Sequence, residues 1–337
     1  MVRTGQGGKE RPMSSSRSSL ASHLILWVVV LVVVCVLGVC FGAVVTTNPT
    51  IIVKMRLPRV LLAVLVGGAL ATSGVIYQSV FRNSLADPYL LGVSAGASLG
   101  AMLAMIATLA LGIRVARWGV IPLAAFAGAL LTMYGVYRIS RIRGAQATSL
   151  ILAGVAISYT LAAITAFAMV MAREQMASIV YWNMGALNLA SWPFIIVLAP
   201  IIGGVSLYTL RLASRLDVML LGEERAGQIG LDTAAFTRRA LVVATVLTAA
   251  AVCTTGLIGF IGLMVPHGVR LRYGVMHRIV LPISFLAGAT LLVLADLVAR
   301  TVLAPVEIPV GIVTAILGGP FFVWLLMCAR DRRDGML

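Results

Sequence analysis

Few residues in this sequence of 337 could do chemistry, and their spacing limits which chemistry that is. Asp296 and Arg300 stand four apart, one turn along a helix face. They read as a helix-end ion pair rather than a proton relay. Glu307 is the other acid close to the interior of an apolar run, and it too sits toward a run's end. Coupling to protons or sodium needs acids or broken polar stretches at mid-membrane depth, which neither acid supplies. His23, His267 and His277 lie at run boundaries, with no metal-ligand spacing and no visible nucleophile–base pair. A phosphate-binding loop needs Gly-Lys-Ser/Thr, so that the lysine and hydroxyl can hold phosphate and magnesium. Lys9 precedes Glu10 and Lys54 precedes Met55, which excludes an ATPase on this chain. Nothing here points to a membrane enzyme.

The largest polar segment between apolar runs is 211–239. Within it, Glu223 to Gly230 can form about two helical turns, bounded by Gly222 and Gly230. A short polar helix of this kind is either a docking element for a partner or an ordinary solvated connection.

Those residues must be positioned by membrane helices. Hydrophobic residues make up 61% of the chain and charged ones 11%, where a soluble domain carries about 25% charge. The 33 glycines suit close helix packing in lipid. The net charge of +15 is spread between apolar runs rather than gathered on one face, which argues against nucleic acid. Cys35, Cys40, Cys253 and Cys328 lie in or beside apolar runs and read as small buried hydrophobes.

Stretches free of charge mark the spans: 24–53, 60–81, 88–113, 118–137, 144–172, 175–210, 240–266, 279–295 and 308–329. We read 175–191 as a short interfacial helix and loop, with Trp192 anchoring a span from Pro193. Basic clusters flank both ends of 240–266, so it divides at Thr254-Thr255-Gly256 into helices near 239–253 and 257–271. The first run reads as a retained helix, because a signal-peptide core is only about 7–15 residues long. The expectation is an all-α protein with a ten-helix domain over 23–330, a disordered cytoplasmic tail over 1–22 and a second tail over 331–337. With both termini cytoplasmic, Lys54, Arg56, Arg59, Arg114, Arg117, Arg173 and Arg300 fall outside and the other 19 of the 26 basic residues inside. That bias follows the positive-inside rule.

Five motifs then carry a family resemblance. Asn83-Ser84-Leu85-Ala86-Asp87-Pro88 with Leu90-Leu91-Gly92-Val93-Ser94 resembles N-P-L-A-D-P-x-L-L-G-V-S, departing at Ser84. Arg56-Leu57-Pro58-Arg59 opens the second helix as R-[LI]-P-R does. Leu221-Gly222-Glu223 with Ala226 and Ile229-Gly230 matches L-G-E-x-x-A-x-x-[IL]-G. Gly259-Phe260-Ile261-Gly262-Leu263 leads to Pro266-His267, with Gly268 in place of the usual apolar residue. Glu307-Ile308-Pro309-Val310-Gly311 is followed by Thr314-Ala315 and Gly319-Pro320-Phe321. In this order the motifs are similar to those of permease subunits of bacterial ATP-driven importers for iron chelates, haem and vitamin B12.

The resemblance implies the type II ABC importer permease fold, a homodimer, two cytoplasmic ATPase subunits that bind ATP and Mg, and an extracytoplasmic binding protein. It implies a bacterial cytoplasmic-membrane location and no cofactor on this chain. Gly222, Glu223, Glu224, Arg225, Ala226 and Gly230 would form the coupling segment. Arg56, Arg59 and Arg300 would meet glutamates of the binding protein. Thr148 and Ser149 would form the cytoplasmic gate, although their small hydroxyls equally fit a helix cap. The expected cargo is a ferric siderophore or haem, with cobalamin as runner-up and a proton-coupled secondary transporter as the alternative of another class.

Overall fold

The computed structural model describes residues 15–42, 48–111, 119–142, 147–172 and 176–334. Helix α1 (Ser15–Cys40) is followed by a continuous helical run made of α2 (Pro49–Ile51), a π-helical turn (Ile52–Arg56) and α3 (Leu57–Val80). A 3₁₀ turn (Pro88–Leu91) leads into α4 (Val93–Ala110), then α5 (Val120–Arg141) and α6 (Ala147–Met171). The short α7 (Met176–Asn183) precedes α8 (Trp192–Met219), α9 (Glu223–Gln228) and α10 (Thr233–Thr255). The chain closes with α11 (Ile261–Tyr273), α12 (His277–Thr301) and α13 (Val310–Asp334). Eight described helices are long and apolar enough to cross a membrane, and α13 adds a shorter apolar stretch, Val310–Leu325. With the 13-residue α11, this is an all-α membrane protein of about eight to ten apolar helices.

The helices divide into inner posts and outer staves. The apolar window of the α2–α3 run is 83% buried, those of α10 and α12 72% and 67%, and that of α1 only 11%. No hydrophobic force separates helix from lipid tail, so packing depends on close backbone approach. A Cβ on Gly67 would lie 2.3 Å from the Gly288 carbonyl oxygen, so α3 and α12 meet only because both residues are glycine.

The division near Thr254-Thr255-Gly256 is present: α10 stops at Thr255 and α11 starts at Ile261. Gly256 has φ 70° and packs so closely on the Trp182 carbonyl that no side chain fits there. The interfacial element also forms as α7, and α8 begins at Trp192 with Pro193 in its first turn.

Four expectations need correction. The apolar stretch 24–53 is not one helix, since α1 ends at Cys40 and Asn48 caps a new helix through the Thr50 N–H at 2.9 Å. Arg56-Leu57-Pro58-Arg59 therefore lies inside a helical run rather than opening it. Pro58 is tolerated there because the wide turn before it already departs from the α-helical hydrogen-bond pattern, and Leu57 N–H reaches back to Ile52. Part of 211–239 is membrane-helix continuation, for α8 runs to Met219 and α10 starts at Thr233. Cys40 is exposed, unlike buried Cys253, because α1 packs along one side only.

Helix α1 starts at Ser15, within the segment read as a tail, and α13 extends to Asp334. Arg114, Arg117, Arg143, Arg173, residues 1–14 and residues 335–337 lie outside the described residues. Gly268 is exposed with open space around its Cβ direction, so that departure from the motif disturbs no packing.

Candidate functional site

At one end of the bundle, α1 and α12 finish and α3 begins. Arg59 donates from Nε to Asp296 Oδ1 at 2.9 Å and from Nη1 to Glu307 Oε2 at 2.7 Å. Arg300 Nε lies 3.0 Å from Asp296 Oδ2, as the four-residue spacing predicts. Arg300 also donates to the Gly38 carbonyl at 3.0 Å, and Arg56 to the Val39 and Cys40 carbonyls at 3.1 and 2.8 Å. These carbonyls lie in the last turn of α1, where a helix runs out of its own N–H donors. The arginines thus tie α1 to the core. Arg56 and Arg300 are 7% and 2% exposed, so the cations expected on an open rim are buried and engaged within the chain. Three guanidinium groups and two carboxylates gather at this end, a formal sum of +1, and Lys54, two positions before Arg56, is exposed.

At the opposite end, α9 forms where spacing predicts a short helix. Gly222 at φ 103° and Gly230 at φ 89° bound it, both in backbone that a side chain strains. Glu223, Glu224 and Arg225 are exposed, while Ala226 is fully buried and pins the helix to the body. Asp232 then caps α10 through the Ala235 N–H at 3.0 Å. The segment presents charge outward from a fixed base, which suits contact with a partner. Thr148 is exposed and Ser149 half-buried in the first turn of α6.

A polar cluster at this same end was not legible from spacing. Asp217 Oδ1 lies 2.6 Å from His277 Nδ1, and His277 Nε2 lies 2.5 Å from Ser79 Oγ. The cluster has the Ser–His–Asp order of an acyl-transfer triad. It is no nucleophile, because Ser79 and His277 are fully buried and the Ser79 hydroxyl is within 2.7 Å of its own helix carbonyl at Val75. Among the described residues, no group of three His, Cys, Asp or Glu side chains could hold a metal ion.

Between these ends, broken elements converge. The Tyr89 hydroxyl donates to the Ile258 carbonyl at 2.7 Å and accepts from the Ile258 N–H at 2.9 Å, pinning the 3₁₀ turn to the α10–α11 break. Asp87 caps that turn through the Tyr89 N–H at 2.8 Å. A cavity of about 550 Å³ opens beside them, lined by Tyr89, Ser94, Ser98, Ser158, Tyr159, Thr165 and Asn183 among apolar neighbours. Its lining is mostly apolar, dotted with hydroxyls and one amide, and carries no charged side chain.

The model of the FecCD transport family matches residues 19–328. A haemin transport system permease protein, HmuU of Yersinia pestis, is 41% identical over 283 residues, covering 84% of each chain. A cobalamin import system permease protein, BtuC of Halobacterium salinarum, is 44% identical over 287 residues, covering 85% of this chain and 75% of its own. A Fe(3+) dicitrate transport system permease protein, FecD of Escherichia coli, is 38% identical, covering 83% of this chain and 86% of its own. A solved structure described as an inward-facing conformation of a metal-chelate type ABC transporter superposes with a TM-score of 0.81 and 30% identity, covering 91% of this chain and 99% of that one.

Proposed function

The chain belongs to the FecCD transport family, and on that premise we propose that it forms the pathway of an importer for a ferric siderophore or haem. It is an ABC transporter permease subunit, not the ATPase. Two copies would enclose a path along their common axis, each with ten crossings and both termini cytoplasmic. Two ATPase subunits would bind ATP and Mg below and a binding protein would dock above. Family membership carries this reading, and the outward charge of α9 on its buried Ala226 base supports it.

In this reading Glu223, Glu224 and Arg225 engage the ATPase, Gly222 and Gly230 set the segment's ends, and Thr148 and Ser149 narrow the cytoplasmic mouth. Nucleotide-driven closure of the ATPase pair displaces α9 and switches access between the two faces. Arg56, Arg59 and Arg300 contribute the positive excess that attracts an acidic binding protein.

Cobalamin is the second reading, favoured by the 44% identity to the archaeal cobalamin permease. Capture of the binding protein with tagged permease, and mass spectrometry of its ligand, separates the two. An iron chelate or haem supports the proposal. Cobalamin transfers it to the runner-up, and a ligand of neither class overturns it.

A further inference from the structure

We propose that the His277–Asp217 pair, seated on Ser79, is a clasp that makes the coupling segment move together with the buried core, so that His277 and Asp217 are positioning residues for energy coupling. The proposal rests on the reading of α9 as the ATPase contact.

The clasp joins three helices at one point. Asp217 lies in the last turn of α8, His277 is the first residue of α12, and Ser79 lies in the last turn of α3. One carboxylate oxygen does two things. Asp217 Oδ1 accepts the His277 backbone N–H at 2.9 Å and faces the ring Nδ1 at 2.6 Å, which fixes a proton on that nitrogen. The first N–H groups of a helix have no partner within it, and Met276 gives α12 no side-chain cap. Asp217 supplies that cap from another helix, where the helix dipole favours a negative charge. A second stitch lies beside the first: Arg278 donates to Ser214 Oγ at 3.1 Å, one turn earlier on α8.

The coupling segment hangs directly from this joint. Leu220 N–H bonds back to Asp217 and Gly222 N–H to Met219, at 3.3 and 3.2 Å, so the link to Glu223 is short and hydrogen-bonded throughout. A push on α9 therefore arrives at the end of α8. If that end could slide over α3 and α12, the displacement would be lost there. Sliding would strand the buried imidazole of His277 without its partners, and a half-satisfied buried polar group is costly. The clasp makes the joint stiff where the load enters, and α12 carries the displacement toward Arg300 at its far end.

The test needs no cargo. In the purified permease–ATPase complex, with native cysteines replaced by alanine, Val302→Cys is spin-labelled just beyond the far end of α12. Pulsed EPR reads the distance between the labels of the two copies, with and without a non-hydrolysable ATP analogue. The proposal expects a nucleotide-induced shift in the parent complex, its loss in Asp217→Ala and His277→Ala, and partial loss in Asp217→Asn. Should the alanine variants fail to assemble, Asp217→Asn decides. A shift that persists undiminished in these variants overturns the clasp. Absence of a shift in the parent complex, or one unaffected by alanine at 223–225, counts instead against the coupling reading beneath it.

Discussion

Arg59 and Asp296 meet at 2.9 Å although 237 positions separate them, and the same carboxylate also holds Arg300 at 3.0 Å. Asp296 is fully buried and, among the described residues, is the one deep counter-charge shared by two guanidinium groups. Glu307, 32% exposed, shares only Arg59. Removing one partner of a buried pair costs about 3–5 kcal/mol, whereas an accessible pair contributes at most about 1 kcal/mol. Asp296→Asn is therefore expected to lower stability severalfold more than Glu307→Gln, read by denaturant unfolding in detergent. Equal effects would show that Asp296 does not organise this end.

Docking of the binding protein is expected to depend on salt, because the surplus positive charge is screened over about 10 Å at 0.1 M and about 3 Å at 1 M. Reversing Arg56 or Arg59 would break the internal cluster as well, so the informative change is exposed Lys54→Glu. It should slow association more than it speeds dissociation, since exposed charge acts on encounter. Association rates insensitive to both ionic strength and Lys54→Glu would remove the electrostatic docking.

Gly222 and Gly227 lie at and within α9 but differ in what they demand. Gly222 has φ 103° and ψ 154°, where a side chain costs about 1–3 kcal/mol. A Cβ on Gly227 meets nothing within 4 Å, and alanine there gains up to about 1 kcal/mol of helix propensity. Thermal unfolding should rank Gly222→Ala below the parent and Gly227→Ala at or above it. Alanine at 223–225 removes only exposed side chains, so it should abolish transport while leaving an intact dimer. Normal transport and ATPase co-purification in that variant would contradict the coupling assignment.

The cytoplasmic mouth is tested at Thr148, exposed on the first turn of α6. Thr148→Cys should cross-link across the dimer in one nucleotide state and not in the other. Cross-linking that never forms, or forms regardless of nucleotide, leaves Thr148 and Ser149 as helix-capping residues only.

Local signals made much of this fold legible. Charge-free runs marked helices, Thr255-Gly256 marked the α10–α11 break, and paired glycines marked α9. Asp296 and Arg300 could be paired because one helix turn brings them together. What stayed hidden was tertiary. Ser79 and Asp217 are 198 and 60 positions from His277, and no periodicity joins them. The same holds for Arg59, whose sequence shows a cation near a membrane edge but not the two carboxylates that draw it inward. The continuous helix through Pro58 was missed because the π-helical turn before it has no sequence signature of its own.

Nucleotide-driven import through this chain is tested most directly by uptake into sealed vesicles. Proteoliposomes carrying the permease with its ATPase facing ATP, and the loaded binding protein on the opposite face, should accumulate the iron chelate or haem that protein carries. Uptake should require hydrolysable ATP and continue unchanged when a proton uncoupler collapses the gradient. Uptake that proceeds without ATP and stops on adding the uncoupler would identify a proton-coupled carrier and contradict the account.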